Sequence, residues 1–594
     1  MCGIAGIFAY KEQAPPVDQV ELLRIRDRMI ARGPDGAGLW VSADQRVGLA
    51  HRRLAIIDLS EAGAQPMHDP ETDNWIVFNG EIYNHVELRA LLNREGVVTR
   101  SHSDTEVLLK LYAHKGTAMI SMLRGMFCFA IWDANKRQMF LARDPLGVKP
   151  LYIADDGKTL RFASQVKALL AGQIDTRPEP AGHVGFLLWG SVPDPYTLYR
   201  GIRAIPAGHW LCVANGAVGQ PVCYYSQTMG LRNVTRAAPN EEKAALQQIA
   251  DAVRDSVAAH MVADVPVGVF LSAGLDSTML AACAASLGNL RTITLGFEEY
   301  EGTEFDEAAL ASTVAQSLGA QHSMHRICAA DFANDREALL AAMDQPSIDG
   351  INTWFVARAA ATQGLKVALS GIGGDELFGS YPSFSQVPRM RKTLQGFKGV
   401  PLVGRTVRQG LSFFSKVLPS PKYAGLLEYG SSLEGAYLLR RALFMPWEIS
   451  SLMDSGMAAE GLKELDTLAC LRKSTEGLHS ERLAVSAMEI QWFMKNQLLR
   501  DADWAGMAHS LEIRVPFLDM KLFEQFVEIP SLDPTQEKRM VARTVAPNLA
   551  EAILNRPKTG FAVPTHQWLN PDAPKSIGNN RDWALMLYRS FAQA

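Results

Sequence analysis

A strand followed by a turn of small residues and an aspartate occurs twice between residues 270 and 379, and the first of these turns leads into a helical pattern. In the first copy, an apolar run ends at 270–271, the turn spans 272–277, and a helical pattern follows over 278–287. In the second copy, the apolar stretch 365–369 leads into the turn 370–375. Between the copies lie one strand-like and three helical stretches: Arg291–Phe297, 306–318, 331–343 and 352–363. This alternation predicts a parallel, doubly wound sheet whose ligands bind beyond the carboxyl ends of the strands.

The two turns suit a ligand that carries phosphate groups. Backbone N–H groups at a helix start, together with the positive end of the helix dipole, favour an anion. Ser272 and Ser277 add hydroxyl donors. Asp276 cannot itself bind phosphate, so its expected partner is a cation such as Mg²⁺ that bridges to phosphate oxygens, and Asp375 is expected to share that cation. The sequence contains no G-x-x-x-x-G-K-[ST] motif, which argues against a Walker-type NTPase.

The first third of the chain follows a different pattern. Short strand-like runs lie at 4–8, 48–50, 54–58, 75–78, 126–133 and 138–142, with helical stretches at 18–31 and 86–93. Such runs predict layered β-sheets with flanking helices. Prolines and a polar stretch separate this part from a helix predicted at 241–261. The predicted domains are therefore 1–210 and 241–594, with a linker at 211–240.

Cys2 stands directly behind the initiator methionine. If Met1 is removed, Cys2 carries a thiol and a free α-amine, and that amine, with a pKa of about 7.7–8.0, can act as the base for its own side chain. Asn79 and Gly80 follow a predicted strand and could form an oxyanion hole. These residues together suggest nucleophilic attack on a carbonyl or amide carbon.

Three further residues narrow the substrate of that attack. Arg53, at the start of another predicted strand, could bind a carboxylate in bidentate fashion. Glu81 and Asp104 could hold an ammonium group. A free amino acid with a side-chain amide fits such a site, and glutamine is the obvious candidate.

Several motifs in the first 150 residues resemble the N-terminal-nucleophile glutaminase domain of class II glutamine amidotransferases. They are Met1-Cys2-Gly3-Ile4-Ala5-Gly6-Ile7-Phe8, Arg32-Gly33-Pro34-Asp35-Gly36, His51-Arg52-Arg53-Leu54, Phe78-Asn79-Gly80-Glu81-Ile82-Tyr83-Asn84, Ser103-Asp104-Thr105-Glu106 and Arg143-Asp144-Pro145-Leu146-Gly147. The resemblance implies that Cys2 is nucleophile and base and that Asn79 and Gly80 form the oxyanion hole. It also implies glutamine-binding roles for Arg53, Asn79, Glu81 and Asp104.

The second half resembles the asparagine synthetase domain, which has an ATP-pyrophosphatase fold. The matching residues are 264–277, 371–379, Asp503, 512–519 and 556–561. The resemblance implies that ATP activates a carboxylate as an acyl-adenylate with loss of pyrophosphate, and that ammonia from glutamine then displaces AMP. The residues implied to bind ATP and pyrophosphate are Leu271, Ser272, Gly274, Asp276, Ser277, Ser370 and Gly371. Lys558 is implied to neutralise the charge that develops during the reaction.

The sequence departs from the family pattern at several positions. Ile372 stands where asparagine synthetases usually carry an acid, and Gln345 stands where Glu is common. Ala273 and Gly506 replace the usual Gly and Ser, and Gln165 replaces a usual Glu in the first domain. Since isoleucine can neither bind an ammonium nor take a proton from ammonia, an acceptor without an ammonium group is a serious alternative to aspartate.

Composition excludes several classes of function. The net charge of −4 gives no electrostatic case for nucleic-acid binding. The seven cysteines form no C-x-x-C pair, which suggests reduced thiols in a cytoplasmic protein. No apolar run reaches membrane-spanning length. A homodimer is expected only as the commonest oligomeric state.

We therefore expect a glutamine-dependent amidotransferase that uses ATP and Mg²⁺, with aspartate as the acceptor. One alternative is the same chemistry on another carboxylate, such as a sugar uronic acid or a peptide or natural-product acid. A second alternative is a glutaminase-like protein whose second half binds nucleotide and only regulates.

Overall fold

The computed structural model describes residues 2–303, 305–397, 401–412, 421–556, 563–569 and 580–592. The strands of the first half are β1 (Gly3–Ala9), β2 (Gly36–Val41), β3 (Val47–Arg53), β4 (Met67–Asp69), β5 (Asn74–Ile82), β6 (Gly125–Asp133), β7 (Gln138–Arg143), β8 (Tyr152–Asp155), β9 (Thr159–Ala163), β10 (Arg203–Ala204), β11 (His209–Ala214), β12 (Ala217–Val218) and β13 (Val222–Cys223). Those of the second half are β14 (Thr235–Arg236), β15 (Val267–Phe270), β16 (Arg291–Phe297), β17 (Gln321–Ile327), β18 (Val367–Leu369), β19 (Glu512–Arg514) and β20 (Val527–Glu528).

The α-helices follow the same division. Those of the first half are α1 (Gln19–Asp27), α2 (His85–Arg94), α3 (Asp104–Lys115), α4 (Val166–Leu169) and α5 (Pro180–Trp189). Those that follow are α6 (Gln227–Arg232), α7 (Glu242–His260), α8 (Leu275–Ala285), α9 (Ala308–Ser317), α10 (Ala329–Ala342), α11 (Ile351–Thr362), α12 (Gly374–Phe378), α13 (Ser383–Leu394), α14 (Pro401–Ser412), α15 (Leu426–Tyr429), α16 (Leu433–Arg441), α17 (Ser455–Leu465), α18 (Thr467–Thr475), α19 (Glu481–Met488), α20 (Leu499–Ala508), α21 (Met520–Gln525), α22 (Pro534–Val545), α23 (Glu551–Leu554), α24 (Thr565–Leu569) and α25 (Asn580–Ala592). None of the described helices is long and apolar enough to cross a membrane.

Two antiparallel sheets form the first half. One has the order β10-β8-β9-β1-β3-β2, and the other has the order β12-β11-β7-β6-β5-β4 with β13 beside β11. Apolar side chains from β1 and β5 meet between the sheets in one buried cluster, which includes Ile4, Phe8 and Val77. This layered arrangement places the start of β1, and with it Cys2, next to the middle of β5.

A five-stranded parallel sheet forms the centre of the second half, in the order β17-β16-β15-β18-β19. Strands β15 and β18 are neighbours, and Val269 pairs with Leu369 near their carboxyl ends. The two turns picked out from the sequence therefore leave the same edge of the sheet side by side. The predicted doubly wound α/β architecture is confirmed.

The strand predicted at 54–58 is wrong, because these residues form no strand. Carboxylates occupy backbone N–H groups that a neighbouring strand would otherwise bind. The N–H of Ala55 donates to Asp35 Oδ2 at 2.8 Å, and the N–H of Asp58 donates to Asp264 Oδ2 at 2.7 Å.

The segment predicted as a linker, 211–240, contains most of β11, all of β12 to β14 and helix α6. The exact domain boundary stays a prediction.

Candidate active sites

Cys2 is buried directly before β1, with its backbone beside Asn79 of β5. Its backbone nitrogen donates a hydrogen bond to Asn79 Oδ1 at 3.0 Å, and its thiol lies 3.9 Å from the carbonyl oxygen of Leu54. Burial raises the pKa of the Cys2 thiol. Because the thiol therefore stays protonated near neutral pH, nucleophilic attack requires a nearby base.

The residue that follows Asn79 has to be glycine. Gly80 has a φ of +153°, and a Cβ built there would lie 2.1 Å from the carbonyl oxygen of Met126 on β6. Glycine alone tolerates both the backbone conformation and the close approach of β6. Glycine at this position therefore lets β5 lie close against β6 directly after Asn79.

Arg53 lies at the end of β3, and its guanidinium is held by backbone carbonyl groups. Nη1 donates to the carbonyl oxygen of Ser60 at 2.7 Å, and Nη2 donates to that of Asp58. Within the described ranges, Arg53 forms no ion pair. Its positive charge is therefore oriented by neutral groups, which suits binding of a ligand carboxylate.

Glu81 and Asp104 are buried carboxylates near this site, 5% and 4% exposed. The N–H of Ile82 donates to Asp104 Oδ2 at 3.0 Å. Glu81 Oε2 has no hydrogen-bond partner in the described part of the chain and lies 3.6 Å from Arg514 Nη2. Burial, with the nearby Glu512 carboxylate, raises the pKa of Glu81, and burial also raises the pKa of Asp104. An ammonium group between the two carboxylates would satisfy them.

Arg32 ties the nucleophile to the second half of the chain. Its Nε donates to the carbonyl oxygen of Cys2 at 3.1 Å, while Nη1 and Nη2 donate to the two carboxylate oxygens of Asp503 at 2.6 and 3.0 Å. Both side chains are buried. The position of the Cys2 backbone therefore depends on a residue of helix α20.

Arg514 connects the two sites a second time. Its Nε donates to Glu512 Oε1 at 2.6 Å, and its Nη1 donates to the carbonyl oxygens of His260 and Val262, each at 2.7 Å. Its own carbonyl oxygen accepts the N–H of Ser370 at 2.8 Å. Arg514 thus faces Glu81 with its side chain and holds the start of the second turn with its backbone.

The two turns line one cavity of about 590 Å³. The predicted ATP-binding residues in its lining are Leu271, Ser272, Gly274, Asp276, Ser277, Ser370 and Gly371. Within the first turn, Ser277 Oγ lies 2.9 Å from Ser272 Oγ, and the N–H of Gly274 donates to Ser272 Oγ at 3.1 Å. Helix α8 begins at Leu275 and α12 begins at Gly374, so two helix starts meet at this cavity.

Asp276 and Asp375 converge on one cation, the ammonium of Lys538. The distances from Lys538 Nζ to Asp276 Oδ2 and Asp375 Oδ1 are 2.6 and 2.8 Å. Burial alone would lower the pKa of Lys538, but the two carboxylates outweigh it and raise the pKa. Two carboxylates aimed at one cationic atom match the way proteins hold Mg²⁺ together with phosphate oxygens. These two residues could hold such an ion at the position that the Lys538 ammonium occupies in the structure.

Lys538 was missed in the sequence because it belongs to no recognised motif. It lies on α22, 163 residues beyond Asp375 in the chain. The buried position of a lysine on an amphipathic helix is a weak signal, since most such lysines are solvated. Lys558, to which the resemblance gives a catalytic role, lies outside the described residues.

The wall around Ile372 combines apolar and acidic side chains. Ile372 is half-buried and packs against two apolar clusters. Asp349 and Asp501 line the same cavity, and burial raises the pKa of both, with Asp349 raising that of Asp501 further. Glu376 accepts a hydrogen bond from Tyr381 Oη at 3.0 Å, and burial raises its pKa to about 7. Sequence reasoning missed these three acids, which place carboxyl groups in the cavity wall where Ile372 has none.

One of the departures from the family pattern has a steric reason. A Cβ at Gly506 would lie 2.7 Å from the carbonyl oxygen of Leu511 and 3.2 Å from Ile513 Cδ1, so a serine would not fit without movement of the backbone. Ala273 is buried, and nothing in the structure explains why it replaces glycine.

Comparison with known proteins covers nearly the whole chain. A family model described as a glutamine amidotransferase domain matches residues 1–225, and one described as asparagine synthase matches residues 248–580. A protein of Bacillus subtilis, named asparagine synthetase [glutamine-hydrolyzing] 1, is 33% identical over 98% of this chain and 89% of its own length.

Two other relatives span similar lengths. One from Mycobacterium bovis, with a provisional asparagine synthetase name, is 34% identical over 98% of this chain and 90% of its own. One from Gibberella zeae, named amidase chry2, is 29% identical over 97% of this chain and 91% of its own.

Proposed function

The chain belongs to the asparagine synthase family, and we propose that it converts aspartate to asparagine with glutamine as the nitrogen donor, ATP as the activating substrate and Mg²⁺ as the metal. It is a glutamine-dependent carbon–nitrogen ligase with a glutamine amidotransferase domain and an asparagine synthase domain. The observation that carries the residue assignments is the double contact of Arg514, which faces Glu81 and holds Ser370. One residue thereby joins the two sites that the reaction requires.

In the first site, glutamine is bound by its α-carboxylate at Arg53 and by its α-ammonium at Glu81 and Asp104. The Cys2 α-amine takes the thiol proton, and the thiolate attacks the side-chain amide carbon. Asn79 Nδ2 and the N–H of Gly80 stabilise the oxyanion. The amine returns the proton to the departing nitrogen, so ammonia leaves, and water then hydrolyses the thioester to glutamate.

In the second site, an oxygen of the acceptor carboxylate attacks the α-phosphorus of ATP, and pyrophosphate departs. The turns that begin at Ser272 and Ser370 bind the phosphates through backbone N–H groups at helix starts. A bound Mg²⁺ would neutralise phosphate charge and orient the leaving pyrophosphate. Ammonia then attacks the adenylate carbon, the C–O bond to AMP breaks, and a carboxylate of the cavity wall accepts the surplus proton.

The chemistry of the substrates also supports a cytoplasmic location. Neither ATP nor glutamine requires an oxidising compartment, and Cys2 must stay reduced to act. The seven cysteines are all free thiols, as expected where thiols are kept reduced.

A different acceptor carboxylate is the second candidate, and Ile372 is the observation that favours it. A half-buried isoleucine beside the phosphate-binding turns offers no charge for an amino-acid head group. One relative that matches nearly the whole chain is named amidase chry2 and not asparagine synthetase. Asp349 and Asp501 favour aspartate, because they line the same cavity and could bind its ammonium.

ATP–pyrophosphate exchange with a panel of carboxylic acids tests the proposal. Exchange that depends on aspartate, and not on sugar uronic acids or on succinate, is the expected result. Exchange with a uronic acid alone would give the reaction a different acceptor. If no acid supports exchange while glutamine is still hydrolysed, the second half regulates rather than catalyses.

Cys2→Ala provides the complementary test of two separate sites. We expect glutamine-driven amide formation to disappear while ammonia-driven formation continues at its normal rate. Parallel loss of both activities would contradict the two-site mechanism.

A further inference from the structure

Cys128 lies beside the glutaminase site and has no part in the chemistry described so far. It stands on β6 directly opposite Asn79 of β5 in the antiparallel register. Its sulfur accepts a hydrogen bond from Asn79 Nδ2 at 3.6 Å, and its S–H donates to the carbonyl oxygen of Pro150 at 3.2 Å. The side chain is fully buried. A continuous hydrogen-bonded chain thus runs from Cys2 through Asn79 and Cys128 to Pro150.

The direction of the Asn79 amide matters for catalysis. Its oxygen and its NH₂ group have nearly the same shape, so sterics alone allow either orientation. When the oxygen faces Cys2, it accepts an N–H from the Cys2 nitrogen, as in the structure. The nitrogen lone pair of a free α-amine is then left for the thiol proton. In the reverse orientation the NH₂ group would donate to the lone pair of the amine, which would then be unavailable for the thiol proton.

The same orientation supplies the oxyanion donor. The NH₂ group of Asn79 has two N–H bonds. One of them points to the Cys128 sulfur, and the other remains available to a substrate oxyanion. Asn79 can therefore serve the amine with one end and the oxyanion with the other only while its amide is held in this direction.

We infer that Cys128 is a positioning residue that fixes the orientation of the Asn79 amide, and thereby sets the rate of glutamine hydrolysis. The inference rests on the proposed glutaminase reaction at Cys2. Cys128 acts through two contacts, because its sulfur accepts from Asn79 and its S–H is anchored on Pro150. A purely apolar side chain of similar size would fill the space but would not distinguish the two amide orientations.

The buried position also keeps Cys128 from competing with Cys2. Burial raises the pKa of the Cys128 thiol to about 12. The group therefore stays an S–H at neutral pH, which preserves its donation to Pro150 and prevents it from acting as a second nucleophile.

The test compares Cys128→Ala with Cys128→Ser and with the control Cys212→Ala, a half-buried cysteine on β11 of the same sheet. In Cys128→Ala we expect the kcat of glutamine hydrolysis to fall roughly tenfold, less than full loss of an oxyanion donor would cost. The KM for glutamine and the ammonia-driven reaction should stay within about twofold. Cys128→Ser should recover most of the lost kcat, because a hydroxyl also accepts from Asn79 and donates to Pro150. Cys212→Ala should behave like the wild type.

A double-mutant cycle with Asn79→Ala separates positioning from a general effect on folding. Once Asn79 is absent, Cys128→Ala should produce no further change in kcat, because its effect passes through the amide. Additive losses would overturn the inference, as would normal kcat in Cys128→Ala. If Cys128→Ala loses the ammonia-driven reaction and Cys128→Ser does not restore glutamine hydrolysis, the residue is structural and the inference is also overturned. A wild-type enzyme that hydrolyses no glutamine would instead contradict the proposed function itself.

Discussion

The carboxylate of Glu81 and the guanidinium of Arg514 face each other across the boundary between the two halves of the chain, with 3.6 Å between Oε2 and Nη2. Both side chains are buried, and Arg514 is shared with Glu512. The ammonium of a bound glutamine would add a second cation to this group. Since Arg514 also holds the N–H of Ser370, occupancy of the glutamine site bears directly on the residue that supports the nucleotide turn.

Glu81→Gln should therefore impair the use of glutamine specifically. The neutral amide keeps the shape of the side chain but loses a charge-assisted hydrogen bond, worth about 3 kcal/mol, so kcat/KM for glutamine should fall roughly 100-fold. Ammonia-driven synthesis should persist, because Arg514 keeps its contact with Glu512. Steady-state assays with glutamine and with ammonia measure the difference between the two losses, and Glu87→Gln, at an exposed position on α2, is the control. Equal losses with both nitrogen sources would contradict this role.

Asp503→Asn should destabilise the whole protein. Removal of one partner from the buried pair leaves Arg32 charged and uncompensated, which costs about 3–5 kcal/mol. Urea unfolding should show this as a lower midpoint. The exposed pair Arg200 and Glu460, 2.9 Å apart, gives the matched control, since Glu460→Gln should cost less than about 1 kcal/mol. An Asp503→Asn midpoint equal to that of the control would show that the buried Arg32 charge is tolerated without its partner.

Asp276→Asn and Asp375→Asn should each abolish activation of the carboxylate. Each substitution removes half of the carboxylate pair that faces Lys538 and that we assign to Mg²⁺. We expect ATP–pyrophosphate exchange to fall at least 100-fold, as for loss of a preorganised charge. Glutamine hydrolysis, measured as glutamate release without ATP, should stay near its normal rate. Exchange that survives both substitutions would remove these residues from the metal site.

Acidification should destabilise the protein through its buried histidines. Burial lowers the pKa of His51 to about 3 and that of His260 to about 4, whereas an unfolded histidine titrates near pH 6.5. Between pH 6.5 and about pH 4 the unfolded chain binds more protons than the folded one, so stability falls as the pH drops through this window. Each histidine contributes up to about 1.4 kcal/mol per pH unit.

Urea midpoints at pH 7.5 and 5.5 measure this effect. The difference between the two midpoints should shrink in His51→Gln and in His260→Gln, because each variant removes one of the linked protons. An unchanged difference in both variants would mean that other groups dominate the acid response.

Local pattern predicted three of the five strands of the parallel sheet, because β15, β16 and β18 each coincide with an apolar run. Strand β17 is mostly polar and β19 has only three residues, so the pattern predicts neither of them. Arg291–Phe297 is an uninterrupted β-like run, and the structure forms a strand over the same residues. The stretch 54–58 has a similar pattern, yet Asp35 and Asp264 bind its N–H groups. Asp264 lies more than 200 residues away in the chain, so the local periodicity of 54–58 contains no sign of the hydrogen bond that replaces strand pairing.

The residues of the candidate site also differ in whether the sequence alone could identify them. Residues within short motifs, such as Cys2, Asn79 and Asp276, could be picked out because spacing and chemistry coincide. Lys538 could not, since its partners lie on other elements. The contact of Cys128 with Asn79 likewise depends on which strands pair, which the sequence leaves open until the sheet order is known.

The ion pair of Arg32 with Asp503 and the facing charges of Glu81 and Arg514 limit how freely the two halves can be exchanged with those of relatives. A chimera that replaces one half would leave an arginine or a carboxylate buried at the boundary between the halves without the opposite charge that pairs with it. We therefore expect that the amidotransferase half functions in another protein only when both residues of each pair are transferred with it.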